Sequence, residues 1–242
     1  MIVIANGAFK SGSTWQRNLL KGLMDFQPLP ENFQSKKHDS FVGVNRLADI
    51  VESPEIKSNN YLAKGHIYKK DHIELLASNV EDVKIFMIQR DIRDAIVSHY
   101  NHFINVRSFK PSFKTYYWLV GRYKAIQLAK YNKNWASYQN NVYHSTFESL
   151  KRDTPGELKR FAEFLGVPLS QKQIDDIIET NSIKKVRENS PRKWFFRKGE
   201  IGDYKNYLTP SMEKDLERIK KKNNLLDKLG YYIIFELRRS LS

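Results

Sequence analysis

The sequence predicts an α/β fold in which helices flank a central, mostly parallel sheet. Two apolar runs, residues 2–5 and 83–88, have the length and composition of buried strands. Each is followed, after a loop, by residues that repeat apolar side chains at helical spacing, over 13–23 and 91–103. Strands that alternate with helices are typical of a parallel sheet covered on both faces. Because 242 residues suffice to bury one core, we expect a single domain over residues 1–242.

The rest of the chain continues this alternation, apart from one irregular stretch. Residues 27–57 contain Pro28 and Pro30 and show no sustained period, so we expect an irregular connection with one short helix near 44–51. Further strands and helices are expected over residues 61–63, 71–78, 113–131, 142–145, 155–165, 171–178 and 211–229.

The composition excludes several classes of protein. The chain has no cysteine, which excludes disulfide frameworks, zinc ribbons and thiol nucleophiles and fits a reducing compartment, so we expect a cytoplasmic protein. Residues 1–5 are too few for a signal peptide, and no later run approaches the roughly 20 apolar residues of a spanning helix. The net charge of +14 points to an anionic partner: nucleic acid, a membrane surface, an acidic glycan or a nucleotide.

The loop between the first strand and the first helix has the spacing of a P-loop-like, phosphate-binding loop. Gly7 and Gly12 are spaced so that backbone N–H groups of a turn and of a helix N-terminus converge on phosphate oxygens. Nucleoside triphosphatases place lysine directly after the second glycine, whereas Lys10 precedes Gly12 by two residues. The loop therefore predicts phosphate binding without a magnesium triphosphate. A turn that merely caps the helix is the alternative.

Three segments resemble sulfotransferases that use 3′-phosphoadenosine 5′-phosphosulfate (PAPS). Residues 9–15 (Phe-Lys-Ser-Gly-Ser-Thr-Trp) are similar to the family's Pro-Lys-Ser-Gly-Thr-Thr-Trp loop. Residues 85–100 are similar to its 3′-phosphate-binding strand and helix, with Arg90 and Ser98 at the two matching positions. Residues 196–206 are similar to its Arg-Lys-Gly-x-x-Gly-Asp-Trp-Lys segment, with Tyr204 in place of Trp. The segments follow the family's order along the chain.

The resemblance implies transfer of a sulfuryl group from PAPS to an acceptor hydroxyl or amine, which leaves adenosine 3′,5′-bisphosphate (PAP). Lys10 would stabilise the leaving oxygen. The implied donor-binding residues are Lys10, Ser11, Gly12, Ser13, Thr14, Trp15, Arg90, Ser98, Arg197, Lys198 and Gly199. Lysines and arginines carry the charge in this chemistry, and the histidines lack metal-ligand spacing, so we expect no metal.

Lys64-Gly65-His66 resembles the family's Lys-Thr-His element, which implies that His66 is the catalytic base and that Lys64 lies beside the sulfuryl oxygens. A histidine after a strand also has a purely structural role in many proteins. Two adenine-contacting positions depart from the family, with Phe147 for Tyr and Ile183 for Phe. The family's C-terminal dimer motif is broken at Pro210 and Lys214, which leaves the oligomeric state open.

Two other functions account for fewer of these sequence features. A P-loop kinase or NTPase conflicts with the position of Lys10 and with the basic end of the strand over 83–88. A nucleic-acid-binding module accounts for the charge and not for the three ordered segments, so we expect no nucleic-acid partner. The expected acceptor is a small molecule, a lipid or a glycan. The basic residues beyond the implied site leave an acidic acceptor or an anionic surface as a second partner.

Overall fold

The computed structural model describes residues 1–35, 38–79, 81–188, 190 and 199–221. The chain divides into two compact units. The first combines Met1–Asp91 with Asn132–Ile201, and the second combines Ile92–Tyr131 with the chain from Gly202 onward. The single domain over residues 1–242 stays a prediction.

A six-stranded sheet forms the centre of the first unit. Its strands are β1 Ile2–Gly7, β2 Gln34–Ser35, β3 His38–Val42, β4 Tyr61–Gly65, β5 Val83–Gln89 and β6 Val142–Thr146. Their order is β2-β3-β4-β1-β5-β6. The pairs β3–β4, β4–β1, β1–β5 and β5–β6 are parallel, and only the two-residue β2 runs antiparallel to its neighbour. The predicted α/β class and mostly parallel sheet are confirmed.

Twelve α-helices lie within the described residues. They are α1 Ser13–Leu20, α2 Leu47–Glu52, α3 Pro54–Ser58, α4 Lys70–Ser78, α5 Ile92–Val106, α6 Phe113–Tyr116, α7 Arg122–Trp135, α8 Phe147–Arg152, α9 Thr154–Leu165, α10 Gln171–Thr180, α11 Ile183–Glu188 and α12 Pro210–Lys221. The helix predicted over 211–229 begins at Pro210, and residues 222–229 lie outside the described part of the chain.

The core of the first unit forms because β1 is buried along its whole length and α1 packs against it. Leu19 and Leu20 of α1 join Phe86 of β5 and Phe161 of α9 in one apolar cluster. The rings of Phe86 and Phe161 have centroids 5.0 Å apart, in edge-to-face contact. This packing fixes α1 against the sheet, so the loop that precedes it is held at the carboxyl edge of the strands.

The connection expected to be irregular contains two strands and two helices. The short helix predicted near 44–51 corresponds to α2 and the 3-10 turn Val44–Arg46 before it. The strands β2 and β3 were not predicted, and β3 extends the sheet by pairing Phe41 with Lys64. The sequence of β3 contains His38, Asp39 and Ser40 and so has no apolar run that would mark it as a strand.

The second unit is helical and centres on a cluster of aromatic side chains. The helix predicted over 113–131 is α6 followed by α7, with the π-helical segment Tyr117–Gly121 between them. Tyr117 donates to Asp215 of α12 (Oη to Oδ2, 2.9 Å), and Arg122 pairs with the same carboxylate at 3.0 Å. These contacts tie α12 to the long helical segment. Among the described residues, no helix is both long and apolar enough to cross a membrane.

Candidate active site

The loop between β1 and α1 makes a tight turn that leaves the helix N-terminus uncovered by side chains. Lys10 has φ 61° and Gly12 has φ 103°, both in the left-handed region. Ser11 closes the turn, since its Oγ donates to the carbonyl of Ala8 at 2.7 Å. Gly12 is the N-cap of α1, where no side chain caps the helix. The first N–H groups of a helix lack partners within it, so this turn has the form of an anion-binding site.

Lys10 is held half-buried among other cations. Burial, followed by the charges of Arg90 and Lys64, lowers the pKa of Lys10 to about 8. The charges of Arg90 and Lys64 are both positive, so they make the ammonium form of Lys10 less stable than that of a lysine in water. The structure therefore places Lys10 close enough to Lys64 and Arg90 for their charges to act on it, while the roles of the three residues stay predictions.

Lys64 lies at the end of β4, next to Ala5 of β1 in the sheet. Its Nζ donates to Oγ1 of Thr14 at 2.6 Å and lies 4.7 Å from the centroid of the Phe41 ring. Burial, followed by the charge of Arg17, lowers the pKa of Lys64 to about 8. Because the Thr14 hydroxyl accepts from Lys64, its own hydrogen is directed elsewhere and can serve as a donor.

His66 follows β4, and its Nδ1 is hydrogen-bonded to the carbonyl oxygen of Gly7. A carbonyl only accepts, so Nδ1 carries the hydrogen and Nε2 of the neutral ring keeps a lone pair. Burial, followed by the charge of Lys64, lowers the pKa of His66 to about 4, against a smaller opposite effect of the bond to Gly7. At neutral pH His66 is therefore an uncharged imidazole with one nitrogen able to take a proton.

Asn6 fixes the backbone next to His66, and sequence reasoning missed it. The side chain is fully buried, and its Oδ1 accepts from the backbone N–H of Ile67 at 3.0 Å. The carbonyl of Ile67 in turn accepts from Nε1 of Trp135 at 2.7 Å. The sequence did contain a signal for this role, because Asn6 is a polar residue directly after the apolar run 2–5. A buried amide at such a position needs hydrogen-bond partners in the core.

Arg90 follows β5 and is fixed from two sides. Its guanidinium carbon lies 4.1 Å from the centroid of the Phe147 ring, and its Nη2 donates to the carbonyl of Glu200 at 3.1 Å. Gly199, directly before Glu200, has φ 61°. The described end of the predicted third segment thus reaches Arg90, while Arg197 and Lys198 lie outside the described residues.

The remaining predicted residues are distributed over both units. Trp15 is half-buried, and the centroids of its ring and the Phe147 ring lie 5.7 Å apart in an edge-to-face arrangement. Ser13 is buried in the first turn of α1. Ser98 is half-buried on α5 in the second unit, where its role stays a prediction. In the described part of the chain, no group of three or more histidine and carboxylate side chains is placed to hold a metal ion.

Comparison with known proteins identifies the family. A family model described as the sulfotransferase domain matches residues 2–229. The chain belongs to the sulfotransferase domain family. Cytosolic sulfotransferase 5 of Arabidopsis thaliana is 31% identical over 161 residues, which cover 56% of this chain and 50% of that relative. Cytosolic sulfotransferase 4 of the same plant is 29% identical over 211 residues, which cover 87% and 69%.

The chain spans about half the length of the first of these relatives. Among solved structures, a mouse sulfotransferase (SULT7A1) complexed with PAP matches this sulfotransferase-family chain with a TM-score of 0.68 and 18% identity, over 94% of this chain and 86% of that one. Retinol dehydratase in complex with androsterone and inactive cofactor PAP matches with a TM-score of 0.62 and 22% identity, over 91% and 79%. These likenesses confirm the predicted P-loop-like α/β fold.

Proposed function

We propose that this sulfotransferase-family protein moves a sulfuryl group from PAPS to an acceptor hydroxyl or amine and leaves PAP. The observation that carries the proposal is the gathering of Lys10, Lys64 and Arg90 around the N-terminus of α1, with the neutral His66 beside Lys64. Membership of the family supports the same reaction.

The residues of this site fit a nucleotide that carries two phosphate groups and a sulfate. Burial and other cations lower the pKa of Lys10 and Lys64, which means that they destabilise the ammonium forms. An anion bound between the two lysines offsets this effect and stabilises both ammonium forms. Gly12 lets a phosphate approach the backbone, and a Cβ at this position would lie only 2.8 Å from the Phe147 ring. A charge-assisted contact contributes about 1.5–3 kcal/mol, more than the roughly 0.3–1 kcal/mol of the helix dipole.

PAPS, when bound, supplies a sulfuryl group whose bond to the 5′-phosphate oxygen breaks as the acceptor oxygen bonds to sulfur. We assign Lys10 to the leaving oxygen, where its ammonium offsets the developing negative charge. The backbone and hydroxyl donors of Ser11, Gly12, Ser13 and Thr14 hold the 5′-phosphate side, and Lys64 lies beside the sulfuryl oxygens. Arg90 binds the 3′-phosphate, with Ser98, Arg197, Lys198 and Gly199 contributing, and Trp15 contacts the adenine.

His66 takes the acceptor proton on Nε2 in this proposal. Its bond to Gly7 holds the ring and directs the hydrogen to Nδ1. In the free protein the nearby charge of Lys64 helps to lower the pKa of His66. An anion bound to Lys64 offsets that charge, which makes the imidazole a stronger base once the donor is in place. The reaction uses no metal, because the cationic side chains carry the charge.

We further propose that the acceptor is a small molecule, a lipid or a glycan rather than a nucleic acid, and that residues 1–242 act as one domain in the cytoplasm. Structures of retinol dehydratase contain retinol or androsterone with PAP, which supports a small acceptor that bears a hydroxyl group. The relatives named cytosolic sulfotransferases and the lack of cysteine support the location.

A thermal-shift comparison tests the proposal with three ligands: PAP, ATP with Mg²⁺, and a random oligonucleotide. PAP should stabilise the protein by about 2.7 kcal/mol at 100 times its Kd. Transfer of labelled sulfate from PAPS to a panel of phenols, sterols, lipids and sugars would then identify the acceptor class. A shift with Mg·ATP and none with PAP would favour a kinase or NTPase and overturn the proposal, and a shift with the oligonucleotide alone would favour a nucleic-acid-binding module.

A further inference from the structure

Large hydrophobic side chains are exposed on one short segment of the second unit. Seven are prominently exposed among the described residues, and four of these fall between residues 106 and 119: Val106 (54%), Phe109 (60%), Trp118 (45%) and Leu119 (56%). We call residues 106–119 the basic apolar segment. The other three, Val44, Tyr68 and Ile201, are scattered along the chain.

The same segment is strongly basic. Arg107, Lys110 and Lys114 alternate with its apolar residues, and all three side chains are exposed. Residues 95–147 contain seven lysines and arginines and no aspartate or glutamate. Three of these seven basic residues lie within the segment, beside its exposed hydrophobic side chains. Surface charges of one sign attract an oppositely charged partner.

The backbone of the segment is anchored to α5, which sets where its outward side chains lie on the fold. Tyr100 donates to the carbonyl of Pro111 at 3.1 Å, and the Phe113 ring packs on Tyr100 at 5.2 Å. Tyr116 and Tyr117 are fully buried, whereas Trp118 and Leu119 point outward from the π-helical segment. The fold thus presents a tryptophan and a leucine to solvent at a site where helical continuity is locally altered.

We propose that the basic apolar segment docks the protein on an anionic lipid bilayer surface. Tryptophan, phenylalanine, leucine and valine suit insertion at the boundary between headgroups and acyl chains. Each nearby lysine or arginine is expected to strengthen binding to anionic lipid about fivefold. The inference is independent of the nucleotide site, because none of the residues of the segment has been assigned to catalysis or donor binding.

Two other occupants fit the segment less well. A single-stranded nucleic acid would use aromatic faces for stacking, and Val106 and Leu119 offer none. A second copy of this chain would bring the same positive charge to the interface, since the acid-free stretch includes the whole segment. An anionic bilayer matches both the charge and the aliphatic side chains.

Co-sedimentation of the full chain with vesicles tests the docking. The protein should bind vesicles of phosphatidylcholine containing about one-third phosphatidylserine at least tenfold more tightly than phosphatidylcholine alone. Raising salt from about 0.1 M to about 1 M shortens the Debye length from about 10 Å to about 3 Å and should weaken this binding. Absence of binding to the anionic vesicles would overturn the proposal.

A charge-matched pair of variants separates the segment from net charge. The double variant Lys110→Glu with Lys114→Glu should lose vesicle binding by at least tenfold. The double variant Lys159→Glu with Lys172→Glu, at exposed positions of the first unit, changes the net charge equally and should bind much as the wild type does. Equal losses in both variants would mean that net charge alone drives binding, and would overturn the assignment.

Apolar variants test the insertion. Trp118→Ser with Leu119→Ser should weaken vesicle binding at least about tenfold, whereas Val44→Ser, at a similarly exposed apolar position elsewhere, should not. Unchanged melting temperatures would show that the variants fold. Vesicle binding that survives the double variant would refute insertion. Binding to an oligonucleotide in place of vesicles, or a dimer that the double variant converts to monomer without vesicle binding, would also overturn the proposal.

Discussion

Raising the pH from about 7 to about 9 should weaken the binding of PAP, because the two lysines at the loop have pKa values near the middle of that range. The pKa values of Lys10 and Lys64 are each lowered to about 8, mainly by burial. A bound phosphate favours the ammonium form of both and raises their pKa values in the complex. Binding of PAP above pH 8 therefore requires proton uptake by the lysines. The affinity for PAP is highest below pH 8 and decreases as the pH rises through 8.

The size of the effect follows from these values. A group with a pKa of about 8 is about nine-tenths protonated at pH 7 and about one-tenth protonated at pH 9. Each lysine then reduces the affinity about tenfold, and the two together about 100-fold, which corresponds to about 2.7 kcal/mol. The phosphates of PAP do not add to this change, because their second pKa is about 6 and they are already ionised at pH 7.

Isothermal titration calorimetry at pH 7, 8 and 9 measures both the Kd and the protons taken up, when repeated in buffers of different ionisation enthalpy. The variant Lys64→Met should bind more weakly and take up about one proton fewer. Its remaining transition should move to higher pH, because Lys64 helps to lower the pKa of Lys10. The control Lys21→Met, at an exposed lysine after α1, should keep the full pH dependence. A Kd that is equal at pH 7 and pH 9 would refute the reasoning.

Three further predictions concern single residues. His66→Ala should nearly abolish turnover of PAPS while the calorimetric Kd for PAP stays close to that of the wild type, and retained turnover would mean that another group is the base. Arg90→Ala removes a charge-assisted contact of about 1.5–3 kcal/mol and should weaken PAP binding about 10- to 150-fold by calorimetry, and an unchanged Kd would contradict its assignment. Gly12→Ala should lower the free energy of unfolding by more than the roughly 1–2 kcal/mol that a left-handed alanine costs, because the added Cβ also lies 2.8 Å from the Phe147 ring. Urea denaturation should show a smaller loss for Gly166→Ala, where φ is 70° and no atom lies within 4 Å of the added Cβ, and equal losses would refute the contribution of the ring.

The strands that flank the loop could be predicted because their burial requires a pattern in the sequence. β1 and β5 lie in the middle of the sheet and are covered on both faces, so most of their positions are apolar. β3 lies near the edge and pairs with β4 at Phe41, and its other residues need not be apolar. Periodicity therefore finds the two central strands and misses the one that places the Phe41 ring 5.3 Å from His66.

The site follows the same division between local and tertiary information. The spacing of Gly7, Lys10 and Gly12 is local, so the sequence alone predicted the turn, and the phosphate binding that the spacing implies stays a prediction. The bond between His66 and Gly7 joins two strands that are adjacent only in the sheet, and no local pattern encodes it. The hydrogen bond from Lys64 to Thr14 also crosses between strand and helix. The tautomer of His66 and the lowered pKa values are consequences of the fold rather than of any motif.

Phe147 shows how a departure from a family pattern can be understood only in three dimensions. From the sequence, the exchange of tyrosine for phenylalanine predicts the loss of a hydroxyl that could reach the adenine. In the structure the centroid of the ring lies 4.1 Å from the Arg90 guanidinium carbon, and the ring packs edge-to-face with Trp15 and fills the space beside Gly12. A cation over an aromatic face contributes about 0.5–2 kcal/mol with or without a hydroxyl. The apolar ring thus orients the arginine, supports the loop and explains why glycine is needed at its turn.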